Sequence, residues 1–292
     1  MVSTTASVTV AARRTSWADI LFWSRRNKTI IGGMVILLAL VTVALIAPWI
    51  ADDPLGFEPT NRLKRPSEVF LFGTDQFGRD VYSRVIYGTR ISLIVGLSVA
   101  LVATAIGLAL GVLCGYYKRV DAVAMRFMDG LMAIPAILLA IALITLMKAS
   151  LFIVIIAISI PEIPRVARLV RSVVLTVRGQ PYIEAAIASG TRNLTIMWRH
   201  ILPNTVAPLI VQATYVCASA ILTEAGLSFL GAGTPPEIPS WGNVMSLGRT
   251  FFQIAPWIIF FPGIFLAVTV LAINLVGDGL RDTLDPRIAR RM

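Results

Sequence analysis

The chain has 292 residues, 57% hydrophobic and only 14% charged, with a mean hydropathy of +0.79. A soluble domain carries about 25% charged residues, so the deficit excludes a water-surrounded globule and favours one membrane domain with a short tail at each end. The net charge of +10 does not mark a nucleic-acid partner, because the basic residues lie between long uncharged runs and read as topology determinants.

Residues 1–28, with Arg13, Arg14, Arg25, Arg26 and Lys28, form an expected cytoplasmic tail. A span needs about 20 apolar residues, and residues 29–50 supply the first, Thr29 to Ile50, without a charge. That run is too long for a signal peptide's apolar region and ends in no small-x-small cleavage pattern, so it reads as an uncleaved helix. Residues 51–87 follow as an extracytoplasmic loop with turn signals at Asp53-Pro54, Phe72-Gly73 and Phe77-Gly78. The second span is expected over Ile91–Tyr117, where Gly96, Ala103, Gly107 and Gly111 permit close helix approach. The third runs from about Gly130 to Met147. The fourth, Ala149–Pro161, has 13 uncharged residues before Glu162 and must continue into polar surroundings. The fifth covers about Val206–Leu230 and contains Glu224; the sixth is Thr250–Gly277. Residues 88–280 form the expected transmembrane core and 281–292 a cytoplasmic C-terminal tail.

With the N-terminus inside, the inner segments hold 18 of the 26 basic residues and the outer ones eight. The positive-inside rule then places both termini in the cytoplasm, and six spans fit that parity. Cys114 and Cys217 lie within apolar runs and read as packing residues. The expected class is thus an all-α, multi-pass integral membrane protein.

The segment between the fourth and fifth spans carries the most informative pattern. In Gln180-Pro181-Tyr182-Ile183-Glu184-Ala185-Ala186-Ile187-Ala188-Ser189-Gly190, Pro181 suits a first helical turn, Glu184 the positive end of the dipole, and Gly190 a stop. A second short helix is expected to end at Pro203. Two short helices joined at a glycine make a protrusion that can seat in a partner's groove. The Glu-Ala-Ala triplet alone is common in ordinary amphipathic connectors; its setting in a basic loop between spans favours the docking reading.

Segment 181–203 resembles the Glu-Ala-Ala loop of binding-protein-dependent ABC importer permeases, with Glu184, Ala185, Ala186, Gly190, Leu202 and Pro203 at matching positions. His200 replaces the common Ile, as is familiar in the peptide branch. Phe72-Gly73-Thr74-Asp75-Gln76-Phe77-Gly78-Arg79-Asp80, with Ser83-Arg84, Gly88 and Arg90-Ile91-Ser92-Leu93, is similar to that branch's signature before the second span. Met128-Asp129 with Pro135, Glu224-Ala225 with Leu227-Ser228-Phe229-Leu230-Gly231, Trp241-Gly242, Asn274 to Asp282 and Leu284-Asp285-Pro286-Arg287 extend the likeness over roughly residues 70–287. The chain resembles the second, C-type permease of dipeptide, oligopeptide and nickel importers of the bacterial inner membrane.

The resemblance implies a type I ABC importer permease fold and an assembly: a paralogous permease subunit, two ATP-binding-cassette ATPases and an extracytoplasmic solute-binding protein. ATP and magnesium would sit in the ATPases; no cofactor is expected in this chain, which has no Gly-x4-Gly-Lys-Ser/Thr phosphate loop. No catalytic group and no metal site are expected. Glu224 and Asn274 are candidate pathway or gate residues, each with a structural alternative, since an ionisable group in an apolar run must face protein or water. Glu162 is expected to pair with Arg165 or Arg168. Arg165, Arg168 and Arg171 read first as headgroup anchors. His200, the only histidine, suits a packing role in the coupling loop. Gly73, Asp75, Gly78, Arg79 and Asp80 read as a turn held by an Asp–Arg network. An intramembrane hydrolase would need paired catalytic groups at membrane depth, and a stand-alone channel or secondary transporter would lack an ATPase-docking loop.

Overall fold

The computed structural model describes residues 28–284; the tail expected at 1–28 lies outside them but for Lys28, and that expected at 281–292 but for its first four residues, which continue the last helix. The helices are α1 (Lys28–Ile50), α2 (Val81–Tyr116), α3 (Lys118–Ala133), α4 (Ala136–Met147), α5 (Leu151–Arg178), α6 (Pro181–Ala188), α7 (Asn193–Ile196), α8 (Leu202–Phe229), α9 (Trp241–Gly248) and α10 (Trp257–Leu284). A 3₁₀ turn at Pro59–Asn61 lies in the outer loop, and a π turn at Met197–Ile201 joins α7 to α8. No strand occurs among the described residues; one isolated bridge links Thr74 and Asp80.

Four helical stretches are long and apolar enough to span a membrane: α1, α2, Asn193–Phe229 and α10. Helices α3 and α4 make a fifth span if counted together, although they meet at 89°. The 28-residue α5 is long enough but is not among these four or five, because its apolar first half is followed by Glu162, Arg165 and Arg168; the fourth expected span is therefore not apolar throughout.

Several expected boundaries move. Helix α2 starts at Val81, inside the supposed loop 51–87, because Asp80 caps it: its carboxylate accepts from Ser83 N at 2.8 Å and Tyr82 N at 3.4 Å. The third span is not one helix from Gly130; the chain breaks at Ile134-Pro135, a residue pair that disfavours helix, leaving α4 only 12 residues. The fourth runs on to Arg178. Pro203 ends nothing. The π turn, in which Leu202 N donates to Met197 O, carries the chain unbroken into α8. The sixth span begins at Trp257, since residues 250–256 form turns.

Small residues hold the core together. Helices α2 and α5 run parallel, and Gly107, Gly111 and Gly115 sit against Val166, Val170 and Val174. An added Cβ would lie 2.6, 2.6 and 2.5 Å from those valine Cβ atoms. Only a glycine seam allows that approach, and in lipid such contact is the main drive to associate. Helix α1 lies on α10 by the same device, with Gly33 against Ala272 and Val276, and Gly279 against Ile30. One buried cluster unites α2, α4, α5 and the segment 183–201, through Val99, Ile144, Ile158, Ile183, Ile196 and Ile201. A second, around Val81, Val85, Ile221, Trp241, Trp257 and Ile258, closes the opposite end.

Candidate functional site

The hairpin between α5 and α8 is built much as its residues require. Gln180 precedes Pro181 at the first position of α6. At the other end Gly190 adopts φ +75°; its N–H donates to Ile187 O at 3.0 Å and Thr191 N–H donates to Ala186 O at 3.1 Å. Those two bonds are the Schellman closure, which needs a left-handed residue. No atom lies within 4 Å of where a Gly190 Cβ would stand, so conformation alone selects glycine.

Ile183, Ile196 and Ile201 are fully buried and anchor the hairpin to the core. Tyr116 Oη donates to Asn193 Oδ1 at 2.7 Å, tying α7 to the end of α2. Arg178 donates to Tyr116 O at 2.6 Å and lies over its ring. The outward surface therefore rests on a fixed base. It presents Glu184 and Ala185, with Ala186 half-buried behind them, and Tyr182, Ile187, Leu194 and Trp198 exposed. His200 is half-buried, its ring 6.2 Å from that of Tyr182; Leu202 is half-buried and Pro203 exposed. The knob thus carries exposed apolar side chains, one carboxylate and the exposed Arg192 and Arg199, a surface suited to insertion into a protein groove.

At the other end of the molecule the outer-loop motif folds into a tight knot. Asp75 is buried and accepts from Phe77 N at 2.7 Å, Arg79 N at 3.0 Å and Arg79 Nε at 2.7 Å. Gly73 and Gly78 take φ +73° and +77°. A Cβ on Gly78 would fall 1.8 Å from Glu58 O, and one on Gly73 would strike Trp257. Trp257 Nε1 donates to Thr74 O at 3.2 Å, which staples the knot to α10. Arg84, also buried, donates to Pro54 O at 3.2 Å.

Glu224 is fully buried. Ser228 Oγ donates to it at 2.7 Å and in turn accepts from Thr234 N at 3.2 Å. Asn243 Nδ2 closes the network on the carbonyls of Thr234, Pro235 and Ile238, each at 3.0 Å. Glu224 is thus enclosed at the end of the subunit opposite the hairpin and lines no open surface. Asn274 is exposed on α10, and no hydrogen bond from its side chain to another helix occurs among the described residues. The two are not brought together.

The arginines of α5 differ from the expected headgroup anchors, because each meets a carboxylate of this chain. Arg165 donates to Glu162 at 2.8 Å; Arg168 pairs with Asp129; Arg171 forms a two-pronged pair with Asp121, one prong at 2.7 Å. The last two bind α3 to α5 across 39 and 50 residues of sequence. Among the described residues no cluster of His, Cys, Asp or Glu could hold a metal ion.

The sequence pattern of the binding-protein-dependent transport system inner membrane component matches residues 107–290, and that of the N-terminal TM domain of oligopeptide transport permease C matches residues 15–66. The chain is 54% identical to a probable peptide ABC transporter permease protein of Sinorhizobium fredii, over 92% of each chain. It is 43% identical to a dipeptide transport system permease protein of Alkalihalophilus pseudofirmus, over 93% of this chain and 90% of that one. A glutathione transport system permease protein of Pectobacterium atrosepticum is 39% identical over 99% and 97%. Among solved structures, a chain of the inward-facing MetNI methionine ABC transporter superposes with a TM-score of 0.55 at 19% identity, over 69% of this chain and 96% of that one, a likeness of fold alone. With the residue pattern, the hairpin and the helical framework in agreement, the chain belongs to the family of binding-protein-dependent transport system inner membrane components.

Proposed function

We propose that this chain is one of two permease subunits of an ATP-driven, binding-protein-dependent importer of di- and oligopeptides in the bacterial inner membrane. The observation that carries the proposal is the exposed hairpin: a knob at Tyr182–Trp198 that bears apolar side chains and the Glu184 carboxylate, seated on Ile183, Ile196 and Ile201 and continuous with two long helices. The names of the peptide and dipeptide relatives support the solute class. Both termini lie in the cytoplasm, as the distribution of basic residues supports. A paralogous permease completes the pore, two ATPases bind ATP and magnesium beneath it, and an external binding protein delivers solute. This chain catalyses no reaction itself. A second solute reading, glutathione or another small solute, is favoured by one relative's name and changes nothing in the assembly.

Mechanistically, closure of the ATPases on ATP pushes the hairpin, and α5 and α8 tilt against the partner permease, exposing the path outward; separation reverses the tilt. Glu184→Lys tests this in the reconstituted complex. The subunit should insert and assemble normally while ATP-coupled dipeptide uptake falls at least tenfold. Normal uptake by an assembled Glu184→Lys complex sinks the coupling role. Absence of dipeptide uptake by the wild-type complex, with glutathione carried instead, replaces the solute.

A further inference from the structure

Helix α5 carries an ion pair where a membrane helix should have none. Glu162 is 4% exposed and lies one turn before Val166, the residue packed on Gly107 of α2. Gly107 falls inside the charge-free run Ile91–Tyr117, about 24 Å along it from Ile91, so the pair sits deep within the bilayer's thickness. Facing lipid there, an arginine would be strongly disfavoured, because nothing would solvate its charge. Arg165 nevertheless keeps 41% of its side chain exposed at the subunit surface.

The surroundings of Arg165 are polar as well. Along α5, Arg165, Arg168 and Ser172 all face outward. On the adjoining α8, Gln212, Tyr215 and Ser219 recur at helical spacing and are partly or fully exposed. The two strips meet where Ser219 Oγ donates to Glu162 Oε1 at 3.4 Å. Such a face, at that depth, borders water or protein and not acyl chains.

Within the strip, Arg165 differs from its neighbours. Arg168 and Arg171 are answered by carboxylates of α3. Arg165 is held by a residue of its own helix, which fixes its position and leaves the outward side open. A guanidinium has five N–H donors, and here one bond, Nη1 to Glu162 Oε1 at 2.8 Å, is made. The second oxygen of Glu162 is buried without a hydrogen-bond partner, an arrangement that leaves the site polar and incompletely satisfied. The open donors match a carboxylate, which accepts two parallel N–H bonds.

We propose that Arg165, positioned by Glu162, is a carboxylate-binding point on the wall of the solute path, where the C-terminal carboxylate of a transported peptide is held at mid-depth. The inference rests on the importer reading above and names the part of the solute that the path recognises. Arg165 is the contact residue; Glu162 and Ser219 are positioning residues. Binding there is transient by construction, because Glu162 shares the same guanidinium and keeps the site's positive charge partly neutralised.

The test uses the complete complex, with both permeases, the ATPases and the binding protein, in proteoliposomes. Uptake is measured for a dipeptide with a free carboxylate and for the same dipeptide as its C-terminal amide. Arg165→Gln should lower uptake of the acid at least tenfold and of the amide less than twofold, with Arg165→Lys recovering part of the acid uptake. In parallel, Arg165→Cys, in a background with Cys114 and Cys217 replaced by Ala, is exposed to a charged, water-borne thiol reagent. Labelling should be slowed at least threefold by the acid dipeptide and not by the amide, and Phe152→Cys, on the apolar outward face of the same helix, should stay unlabelled. Equal loss of both uptakes, as when Arg165 pairs with an acidic residue of the partner permease, overturns the inference. Unchanged uptake, or labelling indifferent to dipeptide, does the same. If the wild type carries no dipeptide, the importer reading itself fails; if it carries only the acid, the labelling arm decides.

Discussion

Replacing Gly111 and Gly130 by alanine, one at a time, should move stability in opposite directions, although the chemical change is identical. Gly111 faces Val170 and Ala167 across the α2–α5 seam; an added methyl would lie 2.6 Å from Val170 Cβ and 2.7 Å from Ala167 O. Ordinary contact is about 1 Å longer, and both obstacles are backbone or Cβ atoms that no rotamer change can move. The helices must part, and Gly107–Val166 and Gly115–Val174 loosen with them. Overpacking of this kind costs roughly 1–3 kcal/mol. Gly130, in α3, has no atom within 4 Å of the added methyl, so alanine there should stabilise by about 0.5–1 kcal/mol through restriction of the unfolded chain. The assay is thermal unfolding of the purified complex in detergent. Gly111→Ala should lower the midpoint by several degrees, about 2–4 °C per kcal/mol, and Gly130→Ala should raise it slightly. A Gly111→Ala complex as stable as wild type, or a Gly130→Ala complex destabilised as much as Gly111→Ala, would refute the close-approach argument.

Two further substitutions separate conformation from contact. Gly190→Ala should weaken ATP-coupled uptake and cost about 1–2 kcal/mol locally, because φ +75° is left-handed for any side chain. Gly190→Asn should retain most of the coupling; equal uptake for Ala and Asn argues against a conformational cause. Asp75→Asn should leave Arg79 without its charge partner and cost about 3 kcal/mol or more. Limited proteolysis should then cleave the chain between Pro54 and Asp80, and resistance equal to wild type would show that the knot stands without the Asp75–Arg79 pair.

Much of the framework was legible because lipid forces apolar residues into long runs, and every expected span has a helix in it. The helix ends were less legible, for local reasons. Charge suggested that α2 starts after Arg90, yet Asp80 caps it ten residues earlier and the outer loop accommodates Arg84. Hydropathy ran the third span through Pro135, where the chain turns by 89°. Pro203 looked like a stop and proved to be an early residue of α8. The hairpin's start at Pro181 and its turn at Gly190 were readable, since each answers a backbone requirement of its own position. The partners of Arg168 and Arg171 were not, because Asp129 and Asp121 approach through folding. The polar faces of α5 and α8 were equally hidden: Gln212, Tyr215 and Ser219 gain meaning only beside Arg165.

The π turn that carries the chain past Pro203 has a mechanical consequence. From Asn193 to Phe229 the backbone is one helical rod of 37 residues, about 55 Å long, with the knob at its foot and the Glu224–Ser228–Thr234 network near its head. A rod has no slack. Pivoting by 5° about its middle shifts each end by about 2.4 Å in opposite senses. In the importer proposed above, a push beneath Trp198 would therefore reach the far end of the helix as a lever stroke, less whatever is lost to bending at Pro208 and the π turn.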